Sequence, residues 1–250
     1  MTHTMRTSMR LTVLAVLWAS AAVAQGLYWE TTTTGIGTQP RTAKIYAAPK
    51  MMKIVQADGH TVVVRSDEDK LITIDTAKQT YHEINIAGLE GVAQATQPQL
   101  DAARAQMEQR MKNLPPEQRA MMEKMMPNLG AGKSAPVTVN RTGETKTIAG
   151  YPCTKYVAKQ GDKIILVAWT TKDVKGFDAL RDDWVKFQKR MSAMSRAGSE
   201  TADAYASIEG FPMATEMGSI KTEVTTVEPR AIPASDFQIP AGYKLEPLGH

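Results

Sequence analysis

Between Lys50 and Ile86 the chain alternates short β-prone segments with turns that leave room for hairpin connections and nothing longer. Lys50 to Gln56 and Thr61 to Arg65 are rich in β-branched or apolar residues and flank Asp58-Gly59, a strong hairpin signal. Asp67 to Lys70 then turns into Leu71 to Asp75, and Thr76 to Gln79 turns into Thr80 to Ile86. A parallel pair would need a crossover of roughly a dozen residues or more. No such length is present, so each strand must pair with the next in an antiparallel meander.

The pattern changes near Pro98. Leu100, Ala103, Met107, Met111 and Leu114 recur at spacings of three and four, the period of an amphipathic helix. Pro115-Pro116 suits a helix start better than a helix interior. The second helix it opens carries Met121, Met122, Met125, Met126 and Leu129 and ends at Gly130. Strands resume at Val137, with Thr147 to Ala149, Cys153 to Ala158 and Lys163 to Thr171 as candidates. A third helix follows, in which Val174, Phe177, Leu180, Trp184, Phe187, Met191 and Met194 form one apolar stripe. Phe211 to Met217 and Ile220 to Val227 read as two more strands, and Ile232 to Gly242, with Pro233 and Pro240, as a coil packed on the outside. The order predicts a mainly β protein with inserted helices (α+β), built as a curved antiparallel sheet or open half-barrel. It would be one domain over residues 25–250, with helical insertions at about 98–129 and 174–207 covering the concave face.

The first residues read as a secretory leader. Arg6 and Arg10 precede the apolar run Leu11 to Trp18, and Ala22-Val23-Ala24 offers a small-x-small site, so cleavage is expected before Gln25. The run is far shorter than the ~20 residues that span a bilayer, and no cysteine lies near the cut to take a lipid. The expected product is a periplasmic protein with no stable membrane anchor. Once Arg6 and Arg10 are gone, 28 basic residues of the original 30 face 26 acidic ones. So even a balance, with the basic residues dispersed, argues against nucleic acid as a partner.

Residues that carry chemistry are few. Beyond the leader the histidines are His60, His82 and His250, and no Ser or Cys sits in a recognisable nucleophile context. The sequence therefore predicts no enzyme, no catalytic residue and no cofactor. Cys153 is the single cysteine. It reads either as a thiolate site near Lys155 or as a small packed strand residue, and without a resolving cysteine the packed role fits better. The methionines admit three roles: ordinary core, an adaptable apolar surface, or a copper(I) site of soft thioethers. Copper-binding segments would show Met-x-Met repeats beside histidines, which are missing. Asp67-Glu68-Asp69 lacks the spaced oxygens and glycine of a calcium loop, so no metal site is expected.

Several phrases carry a family resemblance. They are Gly26-Leu27-Tyr28-Trp29-Glu30, Lys50-Met51-Met52-Lys53-Ile54, Leu114-Pro115-Pro116-Glu117-Gln118-Arg119, and Thr147 to Tyr156 with Gly150-Tyr151-Pro152-Cys153 at its centre. Together they resemble the exported bacterial proteins called domain of unknown function 4412. That family in turn is similar to the periplasmic carriers of lipoproteins, open half-barrels lined with apolar side chains under a helical lid. The resemblance implies a periplasmic binding or carrier protein for a lipid, acyl chain or other apolar ligand, with an envelope protein as a further candidate partner. Its site would be lined by Met107, Met111, Met121, Met122, Met125, Phe177, Leu180, Trp184, Phe187 and Met191. The alternatives are a structural or envelope-stress protein whose concave face is filled by its own side chains, and a methionine-based copper(I) handler.

Overall fold

In the computed structural model, residues 25–88, 135–194 and 200–247 are described, together with isolated positions between 91 and 118. Two antiparallel meanders join edge to edge. The first runs β1 (Gln25–Thr34), β2 (Arg41–Ala48), β3 (Met51–Gln56), β4 (His60–Arg65), β5 (Lys70–Asp75) and β6 (Thr80–Asn85). The second runs β7 (Val137–Ile148), β8 (Tyr151–Gln160), β9 (Lys163–Thr171), β10 (Phe211–Met217) and β11 (Ile220–Ala231). A two-residue β12 (Lys244–Leu245) pairs parallel to β6. The sheet order is β12-β6-β5-β4-β3-β2-β1-β11-β10-β9-β8-β7, one open, curved sheet of twelve strands. The seam is β1 against β11, in register from Gln25 opposite Ala231 to Thr34 opposite Lys221.

The expected meander stands, with its turns where the sequence places them. The β7–β8 hairpin closes on Ala149-Gly150, both at positive φ (47° and 84°), the pairing that suits the right-handed twist of flanking strands. Four expectations are corrected. Strands β1 and β2 precede the first strand read from the sequence. Thr147-Ile148 is the end of the long β7, which a bulge between Arg141 and Thr145 interrupts. The third helix starts at Phe177, because Val174 sits in a turn that the Phe177 N–H closes onto its carbonyl at 3.4 Å. The segment after β11 is also more than an outer coil, since Ile232 and Phe237 are fully buried, the latter in a short 3-10 turn (Ala234–Phe237).

Alternation along the first meander sorts its side chains onto two faces. On one, Leu27, Ala47, Met52, Val64 and Leu71 stand opposite one another across five strands. This concave face meets α1 (Phe177–Met194) through Phe177, Leu180 and Phe187. On the other, Ala48, Val63, Ile72 and Ile74 pack beneath Ile232 and Phe237. Further along the sheet, α2 (Glu200–Ser207) sets Ala204, with Ile208 just beyond it, on Ala158, Leu166 and Ala168 of β8 and β9. Of the described positions in the first expected insertion, 98–99, 102–103, 105–107, 109–110 and 118 are helical, and 113–115 form a turn between them. The other residues of that insertion, to 129, and the leader 1–24 lie outside the described residues.

Candidate functional site

The helix α1 lies along the sheet with its apolar stripe inward, and aromatic rings mark the contact. Trp29 of β1 meets Trp184 at 5.9 Å and Phe211 at 5.5 Å, while Phe177 meets Phe211 at 5.1 Å, all edge-to-face. Such geometry aims the positive edge of one ring at the negative face of the next. Trp184 also leans on Phe187 at 5.9 Å. Polar contacts fix the helix lengthwise. The Lys50 N–H donates to Asp183 Oδ2 at 2.8 Å, and Arg190 donates to Ser66 Oγ and Asp69 Oδ1, both at 3.3 Å. Arg181 donates from one terminal nitrogen to the carbonyls of Ala206 and Ile208, at 3.1 and 3.2 Å, and so ties α1 to the end of α2.

Trp184 divides the space beneath the helix into two. On one side, Leu27, Ala47, Met52 and Val64 of the sheet face Phe177, Leu180 and Phe187, and the space left is about 20 Å³. That is room for about one water. On the other side lies a cleft of about 220 Å³, bounded by Trp29, Thr31, Trp184, Gln188, Tyr205, Phe211, Thr215, Met217, Thr222 and Val224. Its floor follows the register, since Thr31 stands opposite Val224 and Thr215 opposite Thr222. Tyr205 of α2 forms the far wall. Its hydroxyl contacts Thr215, and burial pushes its phenol above the ordinary range, so it stays a neutral hydrogen-bonding group. Met217, at the hairpin end of β10, is 37% exposed and stands at the cleft's open end.

Of the residues read from the sequence as ligand-lining, Phe177, Leu180, Trp184 and Phe187 come together, all on the narrow side. Trp184 alone of these four also borders the wide cleft. Met107 is half-buried at a helical position and is not among the residues that line either space. Met111, Met121, Met122 and Met125 lie outside the described residues, as does the side chain of Met191. Sequence reading missed Trp29, Tyr205, Phe211, Met217 and Val224. Val224 was findable, because the alternation Thr222, Val224 marks one sheet face.

Residues 104–243, more than half of the chain, match the family model described as "Domain of unknown function (DUF4412)". The chain belongs to this DUF4412 family. No curated protein matches it. Among solved structures, it is similar to the MucA/MucB complex of Pseudomonas aeruginosa (TM-score 0.39, 11% identity, 87% of this chain and 56% of that one). It is similar also to PNGF-II (0.37, 10%, 90% and 31%) and to a LolA superfamily protein from Nitrosomonas europaea (0.30, 5%, 86% and 90%). The DUF4412 chain thus spans about a third of PNGF-II and just over half of that MucB chain.

In this family member Cys153, His82 and the Lys172–Glu209 pair make structural contacts. Cys153 is buried, its Sγ donates to the Tyr151 carbonyl at 3.3 Å, and burial pushes the thiol upward, away from the thiolate a reactive cysteine needs. His82 holds β6 to the C-terminal segment, with Nδ1 2.8 Å from the Glu246 carbonyl. A second, polar hollow of about 320 Å³ lies at the β8–β9 end, where Lys172 and Glu209 pair across its rim and neutralise each other. Among the described residues, no group of three or more His, Cys, Asp or Glu side chains is placed to hold a metal ion. No helix among them is long and apolar enough to cross a membrane.

Proposed function

We propose that this protein binds an apolar ligand, an acyl chain or a lipid bearing one, in the cleft between α1, α2 and the strands β1, β11 and β10, and that it does so as an exported, periplasmic carrier. The observation that carries this reading is the 220 Å³ cleft walled by Trp29, Trp184, Phe211 and Val224. An apolar cavity of about 150 Å³ already takes up benzene, whereas sites for drug-sized ligands run from roughly 300 to 1,000 Å³. The cleft therefore seats part of a chain as it stands. A longer ligand needs Trp184 to swing and α1 to lift, which would open the narrow side and bring Phe177, Leu180 and Phe187 onto the ligand, with Met107, Met191 and the helix methionines Met111, Met121, Met122 and Met125 as further lining. The role is binding without chemistry, since the cleft presents hydroxyls and one amide and no nucleophile paired with a base.

The structural-protein reading draws on the narrow side, where the concave face is filled to within one water. A neutral fluorescent probe separates the two. N-phenyl-1-naphthylamine should gain fluorescence with the parent protein and lose at least about tenfold in affinity with Gln188→Trp or Thr222→Trp, each of which puts an indole into the cleft. Both variants should keep the parent's denaturation midpoint. No probe uptake by the parent, together with no retained ligand in native mass spectrometry of protein taken from its own periplasm, leaves the structural reading standing.

A further inference from the structure

The wide cleft is apolar on its walls, but its polar groups are of one kind. Thr31, Thr215 and Thr222 from the floor, Tyr205 from α2 and Gln188 from α1 supply hydroxyls and an amide, and none of the described residues that line it is charged. One guanidinium, that of Arg181, belongs to the adjoining crevice of about 10 Å³. Trp184, Tyr205 and Pro212 line both spaces and so form the wall between them. Arg181 is also committed elsewhere, to the carbonyls of Ala206 and Ile208. A carboxylate seated in the cleft would give up water with no cation to receive it, a cost that carboxyl groups ordinarily escape by staying protonated. A hydroxyl, ester or amide incurs no such cost, because threonine, tyrosine and glutamine side chains both donate and accept.

We infer that the cleft selects apolar ligands whose polar end is uncharged, a glyceride ester or an alcohol, over the same chain ending in a carboxylate. This rests on reading the cleft as the ligand site. It runs against a carrier of free fatty acids, whose site would present a lysine or arginine to the head group.

Competition against the neutral probe at pH 8 tests the inference with three ligands of one chain length: 1-monodecanoylglycerol, 1-decanol and decanoate. The two neutral ligands should displace the probe, and decanoate should bind about 30-fold more weakly, the loss that follows if binding raises its carboxyl pKa by about 1.5 units. The gap should close as the pH falls toward 4.5, where an ordinary carboxyl group nears its neutral form. Gln188→Lys, which sets a cation in the cleft lining, should narrow the gap between decanoate and decanol about tenfold. Decanoate binding as tightly as decanol to the parent at pH 8 overturns the inference while the apolar-ligand reading survives. Failure of all three ligands to displace the probe removes both.

Discussion

The two sides of Trp184 share one helix and one sheet, yet one is filled and the other open. On the narrow side the sheet offers Leu27, Met52 and Val64, and α1 offers Phe177, Leu180 and Phe187. Large side chains project from both layers and interdigitate, as protein interiors do at close packing. On the wide side Thr31, Thr215 and Thr222 stand among Trp29, Phe211, Met217 and Val224 of the sheet, and α1 offers Gln188. The threonines are short, and they do not reach across. The helix does not decide where the cleft lies. The strands do, by switching from aliphatic residues to threonine as the sheet passes from the β2–β4 side to β10–β11.

If that account is right, truncation on the two sides should differ sharply in cost. Phe187 is buried, so Phe187→Ala should destabilise by ~3–5 kcal/mol, the range for large-to-small changes in packed cores. Gln188, its neighbour on the open side, should change stability by no more than ~0.5 kcal/mol as Gln188→Ala. Paired denaturation midpoints in urea read the difference directly. Equal costs would mean the cleft is packed in solution and the contrast between the sides is not real.

Much of this arrangement was legible because it is local. The turns at Asp58-Gly59, Asp67 to Lys70 and Thr76 to Gln79 fix neighbouring strands by chemistry confined to a few residues, and the stripe from Phe177 to Phe187 announces its own period. The seam was not legible. Residues 25–34 contain Leu27-Tyr28-Trp29 and four consecutive threonines, which do not alternate cleanly because both faces of β1 are covered. Trp29 meets α1, while Tyr28 stacks on Tyr46 at 4.9 Å beneath Arg230. The partner of β1 is β11, nearly two hundred residues away, which no window of sequence reveals. The buried C-terminal segment left a trace that was available: Val62-Val63-Val64 and Leu71-Ile72 are contiguous apolar runs, the mark of strands covered on both faces. The wide cleft was the least visible feature, since it depends on what threonines fail to fill.

A smaller effect tests how α1 is held down over the narrow side. Asp183 accepts the Lys50 N–H from the β2–β3 turn, and Arg190 grips the β4–β5 turn independently. Asp183→Ala removes the first clamp only. The freed N–H is exposed and returns to water, so the loss should be about 1 kcal/mol. The informative readout is kinetic. If ligand entry needs α1 to lift, stopped-flow mixing with the neutral probe should show faster association in Asp183→Ala than in the parent. Unchanged association would mean the wide cleft fills from its open Met217 end with the helix in place.

The smallest expected effect concerns the turn that Arg190 grips. Arg65 donates to Asp67 from two nitrogens, at 3.0 and 2.8 Å, and pairs with Glu68 as well. The guanidinium holds the Asp67 carboxyl below the ordinary carboxylate range, the hydrogen bond being the main cause. A carboxyl depressed in the folded state stabilises above its unfolded value of about 3.9, and the contribution is lost as pH falls through the folded value. Asp67 is 35% exposed, so solvent screening limits the pair to a few tenths of a kcal/mol. Asp67→Asn should therefore be slightly less stable than the parent at pH 7, and the two should converge as pH falls through the lowered Asp67 value. Probe affinity at pH 7 should be the same for both, because the wide cleft touches no part of the β4–β5 turn. A loss of probe binding in Asp67→Asn would show that the two sides of Trp184 are coupled through α1, and that the filled side governs the open one.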